Sequence, residues 1–351
     1  MGWRDPDSLT HQHALMTGAR RPILLLVNPV SGGKPTAPGG AVARPEPEEL
    51  RDGLIGHELS VELRLLEEGD DVGAVVSVAV EAGQDVVVAG GDGTVRPAAS
   101  ALVGTDGTLG IIPFGSWNNI ARGCGIPDEP SAAIDVVGAG DGRLIDVGLA
   151  WHPSGANDPA PAEAPPDDAT RFFEAAGVGL DAAGFGAAQV GERRGTLSAL
   201  RSAWRALRKR RTAMLLTVDG RRFRTAAPAV TICNGPYHGM GFALAPEADP
   251  SDGMLDVVVF SGMTRWDVIR HFLAVARGRP RHEPRVNRVT ARRIYVTGVR
   301  RTLPIHADGE SMGTTPVAFA VMPGGVRIFA APPQLPGSPL AAAASAPNTR
   351  A

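Results

Sequence analysis

The apolar positions of this chain fall into short unbroken runs rather than long periodic stripes. Pro22-Ile23-Leu24-Leu25-Leu26-Val27 is the first, Val86-Val87-Val88-Ala89 the second and Leu109-Gly110-Ile111-Ile112 the third. Runs of this length, bounded by Gly, Pro and Asn, suit strands buried on both faces under covering helices. Helix-like segments lie between them, Asp71 to Ala82 among them. Strand, turn and helix alternate, which predicts a doubly wound α/β domain over residues 21–146.

Beyond Asp146 the pattern changes. Residues 152–168 are dense in Ala, Pro and Asp and read as a flexible loop. Short β-like runs follow at Met214–Val218, Ala229–Cys233, Leu255–Phe260 and Arg293–Thr297, separated by Gly and Pro turns. They predict a β-rich, sandwich-like second domain over 147–315. Residues 316–331 are expected to close the fold with one or more strands returning to the first domain. Two helix candidates, at 196–211 and 264–277, interrupt the β pattern. Residues 1–20 and the Ala/Pro/Ser-rich 332–351 carry no period and are expected to be disordered.

Composition narrows the function classes. Of 351 residues, 43% are apolar and 21% charged, and the net charge is −2, so no global cationic field exists to hold nucleic acid. Lys34 and Lys209 are the only lysines, so a P-loop lysine would have to be one of them; Pro35 after Lys34 breaks that motif. Nor does a G-x-G-x-x-G open a helix after a strand. Cys124 and Cys233 cannot build a disulfide framework and are expected to be buried small apolar residues. No run of about 18 apolar residues is present, and residues 1–20 lack the apolar core of a signal peptide. Together these predict a cytoplasmic protein.

Three strand ends of the first domain carry candidate chemistry, at the sheet edge where open α/β folds bind ligands. The strongest is Gly90-Gly91-Asp92-Gly93-Thr94. Its glycines let consecutive N–H groups converge on an anion, and a helix expected after Thr94 would add its positive end. Asp92 would repel a bare phosphate and makes sense with a Mg²⁺ between them. The same residues also suit an ordinary tight turn capped by Asp or Thr. The other two ends are Asn28-Pro29-Val30-Ser31-Gly32-Gly33 and Pro113-Phe114-Gly115-Ser116-Trp117-Asn118-Asn119.

Asn28-Pro29-x-Ser31-Gly32, then Gly90 to Thr94, then Pro113-x-Gly115-Ser116-x-Asn118 resembles the catalytic domain of the diacylglycerol kinase and sphingosine kinase superfamily, and most of all its bacterial soluble lipid kinases. The resemblance spans residues 22–330. It implies an ATP- and Mg²⁺-dependent lipid kinase that phosphorylates a diacylglycerol or sphingoid-like hydroxyl at the membrane surface, with the active site in the cleft between the two domains. Nucleotide would be held by Asn28, Pro29, Ser31, Gly32, Gly90, Gly91, Asp92, Gly93, Thr94, Gly115, Ser116 and Asn118. His306-Ala307-Asp308-Gly309-Glu310 matches the family's Asp-Gly-Glu element. Glu310 is implied as the general base, with Asp308 positioning it or sharing a metal, and Asp92 completing the catalytic set. Asp249, Asp252 and the carbonyl of Met254 are implied as ligands of a structural Mg²⁺. Phe172–Leu180 and Ile232–Gly241 are implied to wall the cleft.

Three positions depart from the family pattern. Asn119 stands where Asp is usual, Arg96-Pro97 where Asn and Glu are frequent, and Leu65-Leu66-Glu67-Glu68 lacks the usual Thr. Pro97 is expected in the first turn of its helix. Two other classes stay open: a binding protein of the same fold with impaired catalysis, and an NAD kinase, which shares the Gly-Gly-Asp-Gly-Thr turn. Leu197, Leu200, Trp204 and Leu207 form an apolar stripe inside a basic cluster at 193–211, which suits either a peripheral contact with anionic lipid at the inner membrane face or packing on the core. Trp266, Ile269, Phe272 and Leu273 read as core residues. The expected partners are the lipid surface and a second copy of the chain in a homodimer, not nucleic acid.

Overall fold

A computed structural model describes residues 20–31, 45–154, 164–179, 212–239, 241–264, 266–267, 270 and 285–330. Gly32, the basic cluster at 193–211, most of the helix candidate at 264–277 and the segments 1–19 and 331–351 lie outside the described residues.

The first domain follows the apolar runs. In chain order it comprises β1 (Ile23–Val27), α1 (Pro47–Ile55), β2 (Val61–Leu65), α2 (Val72–Glu81), β3 (Asp85–Gly90), α3 (Asp92–Leu102), β4 (Thr108–Pro113), α4 (Asn119–Gly123), α5 (Pro130–Ala139) and β5 (Gly142–Trp151). The strand order β2-β1-β3-β4 is parallel. Every residue of β1, β3 and β4 is buried, which is why their apolar runs are unbroken. The edge strand β2 is half solvated, so Val61-Glu62-Leu63-Arg64-Leu65 alternates instead of forming a run. Register aligns Val27 with Ala89 and Ala89 with Ile112, bringing the loops after β1, β3 and β4 to one edge.

The second part is built mainly of strands among the described residues. It comprises β6 (Thr170–Phe172), β7 (Ala175–Gly179), β8 (Thr212–Val218), β9 (Arg221–Ala227), β10 (Ala229–Cys233), β11 (Tyr237–His238), β12 (Phe242–Ala243), β13 (Leu255–Phe260), β14 (Val286–Ala291), β15 (Arg293–Gly298), β16 (Pro304–Ala307), β17 (Glu310–Thr314) and β18 (Val317–Phe329). One sheet, β14-β13-β10-β7-β16-β17, packs against β8, β15 and β18 of the other through Met214, Leu216, Val257, Ile305 and Phe319. The result is a sandwich. Phe172 lies edge-on to Phe319, centroids 6.3 Å apart, and its ring fills the space beside Gly148, where a Cβ would come within 2.2 Å.

The thirteen-residue β18 joins the two parts. Its C-terminal end pairs parallel with β4 (Arg327 with Thr108, Ile328 with Leu109), while its N-terminal end pairs antiparallel with β15. Along its length it also pairs with β5, with a register shift between Met322 and Val326. The first domain's sheet therefore runs on, through shared backbone hydrogen bonds, into the sandwich.

Some expectations need correction. Trp266 is 65% exposed rather than core, and Ile269, Phe272 and Leu273 lie outside the described side chains. The helix expected after Thr94 starts at Asp92, because Gly91 acts as its N-cap and its carbonyl accepts from both Thr94 and Val95. Pro97 is consequently in the helix interior, where it supplies no N–H to the carbonyl of Gly93.

Candidate active site

The turn after β3 and the turn after β4 are packed backbone to backbone. A Cβ on Gly91 would lie 2.8 Å from the Cα of Gly115, and one on Gly115 would lie 2.6 Å from the Cα of Gly91. Only glycine permits that approach at either position. Gly93, by contrast, faces open space on the first turn of α3, where the helix presents N–H groups without intrahelical partners. Asn28 joins the third loop to these two: its Nδ2 donates to Thr94 Oγ1 at 2.8 Å, and its Oδ1 accepts from Val30 N at 3.0 Å. Asn118 adopts a left-handed conformation and its Oδ1 accepts from Gly115 N at 2.8 Å. Ser116 is exposed. The structure thus brings the expected nucleotide residues, Gly32 apart, onto one sheet edge.

Asp92 sits differently from what its place in the glycine turn suggested. Its carboxylate accepts from Asn119 N (3.0 Å) and Ile120 N (3.1 Å), capping α4 and locking the turn after β3 to the turn after β4. Burial raises its pKa above the ordinary carboxylate value, partly offset by those N–H donors.

The second domain contributes the β16–β17 hairpin. Ala307 pairs with Glu310 across Asp308-Gly309, both at positive φ, as a two-residue type I′ turn demands. The Asp308 carboxylate is turned inward. It accepts from the backbone N–H groups of Phe173 (2.8 Å), Glu174 (3.0 Å) and Ala175 (3.1 Å), pinning the bend between β6 and β7. Burial raises its pKa as well. Asp308 therefore pins the backbone of the turn, whereas Glu310, its side chain 65% exposed, points outward. There Glu310 forms an ion pair with Arg96 of α3, whose Nη1 also donates to the carbonyl of Asp308 at 3.3 Å. His306, on β16 of the hairpin, is buried, its ring stacked on His238 at 5.6 Å between centroids.

Sequence reasoning missed Glu174. Its Oε2 accepts from Asn119 Nδ2 at 2.8 Å and from Gly239 N at 3.2 Å, and Asn119 Nδ2 donates also to Gly239 O at 2.7 Å. Burial, then the neighbouring Asp308 and Asp92 carboxylates, push its pKa well above the usual range. The one signal was a lone acid inside the otherwise apolar Phe172-Phe173-Glu174-Ala175-Ala176. It also alters the meaning of Asn119: the amide is matched to a carboxylate from the opposite domain, so the cluster keeps an acid beside position 119. Further along this seam, Arg122 lies over the Tyr237 ring at 4.1 Å and Trp117 packs on Gly241.

The Asp249–Met254 turn is built around Asp146, whose carboxylate accepts from Gly253 N (2.7 Å) and Gly324 N (2.8 Å). Asp249 Oδ1 accepts from Ser251, and Asp252 Oδ1 from Met254 N, which leaves the second oxygen of each toward solvent. Burial raises Asp252 and Asp146, and the mutual repulsion of Asp146, Asp249 and Asp252 adds to it. Among the described residues no three His, Cys, Asp or Glu side chains converge as a ready cage. The donor chemistry fits a hard cation held by two carboxylates, a main-chain carbonyl and water.

Comparison with known proteins agrees with this geometry. Residues 22–150 match the diacylglycerol kinase catalytic domain, and residues 175–330 match the YegS C-terminal NAD kinase beta sandwich-like domain. A Pseudomonas aeruginosa protein named probable lipid kinase YegS-like is 30% identical over 305 residues, covering 81% of this chain and 87% of that protein. The chain belongs to the diacylglycerol kinase and YegS-like lipid kinase family. A Mycobacterium tuberculosis diacylglycerol kinase is 29% identical over 329 residues, covering 88% and 94% of the two chains. A crystal structure of a diacylglycerol kinase from Bacillus anthracis shares the fold, with TM-score 0.62 and 18% identity over 89% of this chain and 97% of that one. This lipid kinase carries Asp308-Gly309-Glu310 at the tip of the β16–β17 hairpin. No helix among the described residues is long and apolar enough to cross a membrane.

Proposed function

We propose that this lipid kinase transfers the γ-phosphoryl group of ATP to a hydroxyl of a membrane lipid, with diacylglycerol as the first acceptor to test and a sphingoid base as the second. The observation that carries the reading is the placement of Glu310. A hairpin of the second domain delivers this acid to the helix whose N-terminus follows the Gly90–Gly91 turn. The α3 N-terminus, with the Asn28 and Gly115 loops around it, would hold the phosphates. Glu310 would accept the proton of the attacking hydroxyl as the new O–P bond forms and the bond to the ADP oxygen breaks. Mg²⁺ bound with the nucleotide would neutralise charge on the phosphates. The Asp249–Asp252 turn would take a second, structural Mg²⁺ that braces the turn against β5 and β18 through Asp146. The basic stripe at 193–211 supports a contact with anionic lipid by its sequence alone.

The test is labelled ATP and Mg²⁺ with diacylglycerol, sphingoid base or total lipid extract in mixed micelles, for wild type and Glu310→Gln. Labelled lipid from wild type and a loss of at least about 100-fold in the variant support the reading. No labelled lipid from wild type overturns it, and equal labelling by both overturns the role of Glu310.

A further inference from the structure

Arg96 is the one cation that bridges the phosphate-side helix and the candidate base among the described contacts. It lies on α3, two residues after Thr94. Side chains on a helix lean toward its N-terminus, so the guanidinium is directed to the end where the phosphates would bind. It does not stop there. One nitrogen meets Glu310 Oε1 and another meets the carbonyl of Asp308, so the fork grips both the acid and the tip of its turn, 214 and 212 residues away in sequence. Glu310 itself is mostly exposed, whereas the Arg96 side chain is 24% exposed. An exposed glutamate has freely exchanging rotamers, and nothing on its own strand selects the one that faces the cleft. Asp308 fixes the backbone of the turn through three N–H groups, but it cannot aim the side chain two residues on. A planar, two-pronged guanidinium can.

We infer that Arg96 is a positioning residue for this kinase: it holds Glu310 toward the nucleotide across the domain seam, and so makes the base ready only when the two domains are apposed. This rests on the reading of Glu310 as base. An exposed ion pair is weak enough to exchange at each turnover, so the arginine can bias the acid's orientation without blocking its access to a hydroxyl proton.

The experiment is steady-state lipid phosphorylation, with ATP and acceptor varied separately, for wild type, Arg96→Ala, Arg96→Lys, Glu310→Gln and Glu310→Asp, and for Arg96→Ala combined with Glu310→Asp. Melting temperature and ATP binding are measured on each. The expected result is a kcat about tenfold lower in Arg96→Ala, part of the general-base contribution. KM for ATP stays within about twofold, and Arg96→Lys recovers part of the loss. In the Glu310→Asp background, where the shortened acid no longer reaches the guanidinium, Arg96→Ala should add little further loss. Unchanged kcat in Arg96→Ala overturns the inference. So does an equal loss in both backgrounds, or a loss confined to KM for ATP, either of which makes Arg96 a nucleotide contact or a fold contact. If Arg96→Ala fails to fold, the Lys variant carries the same comparison. Full activity in Glu310→Gln instead overturns the base assignment beneath it, and is read independently of every Arg96 variant.

Discussion

Glu174→Gln is expected to stabilise the protein, and to do so only above the acid range. Both contacts of the carboxylate fall on one oxygen, Oε2, which accepts from Asn119 Nδ2 and Gly239 N. The amide oxygen of glutamine can take that place with the same shape, so the variant keeps both bonds and loses the charge. Burial and the nearby Asp308 and Asp92 raise the folded-state pKa of Glu174 well above its ordinary 4.5. A raised acid is penalised in the folded state when ionised. The penalty is absent below the unfolded value, grows as pH climbs through the folded value, and is complete above it. Each unit of elevation corresponds to about 1.4 kcal/mol, or about 2 °C in melting temperature for a protein of this size. Melting curves of wild type and variant from pH 4.5 to 8.5 measure it. The difference should be near zero at the acid end and reach at least about 2 °C at the alkaline end. A pH-independent difference, or a variant less stable than wild type at pH 8, would refute the account of a strained carboxylate cluster.

Three other outcomes follow from the same geometry. Asn119→Asp replaces two donated hydrogen bonds by a carboxylate facing Glu174 Oε2 and Gly239 O; it should cost about 2–4 kcal/mol at pH 8 and less at pH 5, where the pair can share a proton, and equal melting at both pH values would contradict it. Gly91→Ala drives a Cβ against the Gly115 backbone; a loss of about 1–3 kcal/mol in urea unfolding together with weaker ATP binding is expected, and unchanged ATP binding would separate the glycine pair from the nucleotide site. Mg²⁺ should raise the melting temperature of wild type and not of Asp252→Asn, because Asp252, Asp249 and Asp146 repel one another without a cation; an equal rise in both would place the ion elsewhere.

Local chemistry determined a good part of this protein. Strands buried on both faces must be unbroken apolar runs, so β1, β3 and β4 and the glycine turns behind them could be read directly. An Asp-Gly pair flanked by strands is a hairpin signal because both residues tolerate positive φ, and 308–309 is that hairpin. The half-solvated edge strand β2 was not legible, since its short alternation also suits loop. Tertiary structure alone decided which acids face the cleft. Asp92, Asp308 and Glu310 are alike as sequence, yet the first two turn inward because unpaired backbone N–H groups of α4 and of the 173–175 bend lie within reach, and only Glu310 is left outward. Glu174 enters the site because β7 lies beside β16, and Arg96 meets Glu310 because the sheet shared through β18 holds the two parts together. Such pairings join residues from 27 to 214 positions apart. A residue's propensity reports its immediate neighbours along the chain, whereas a carboxylate's role depends on which donors the packing of distant elements sets around it.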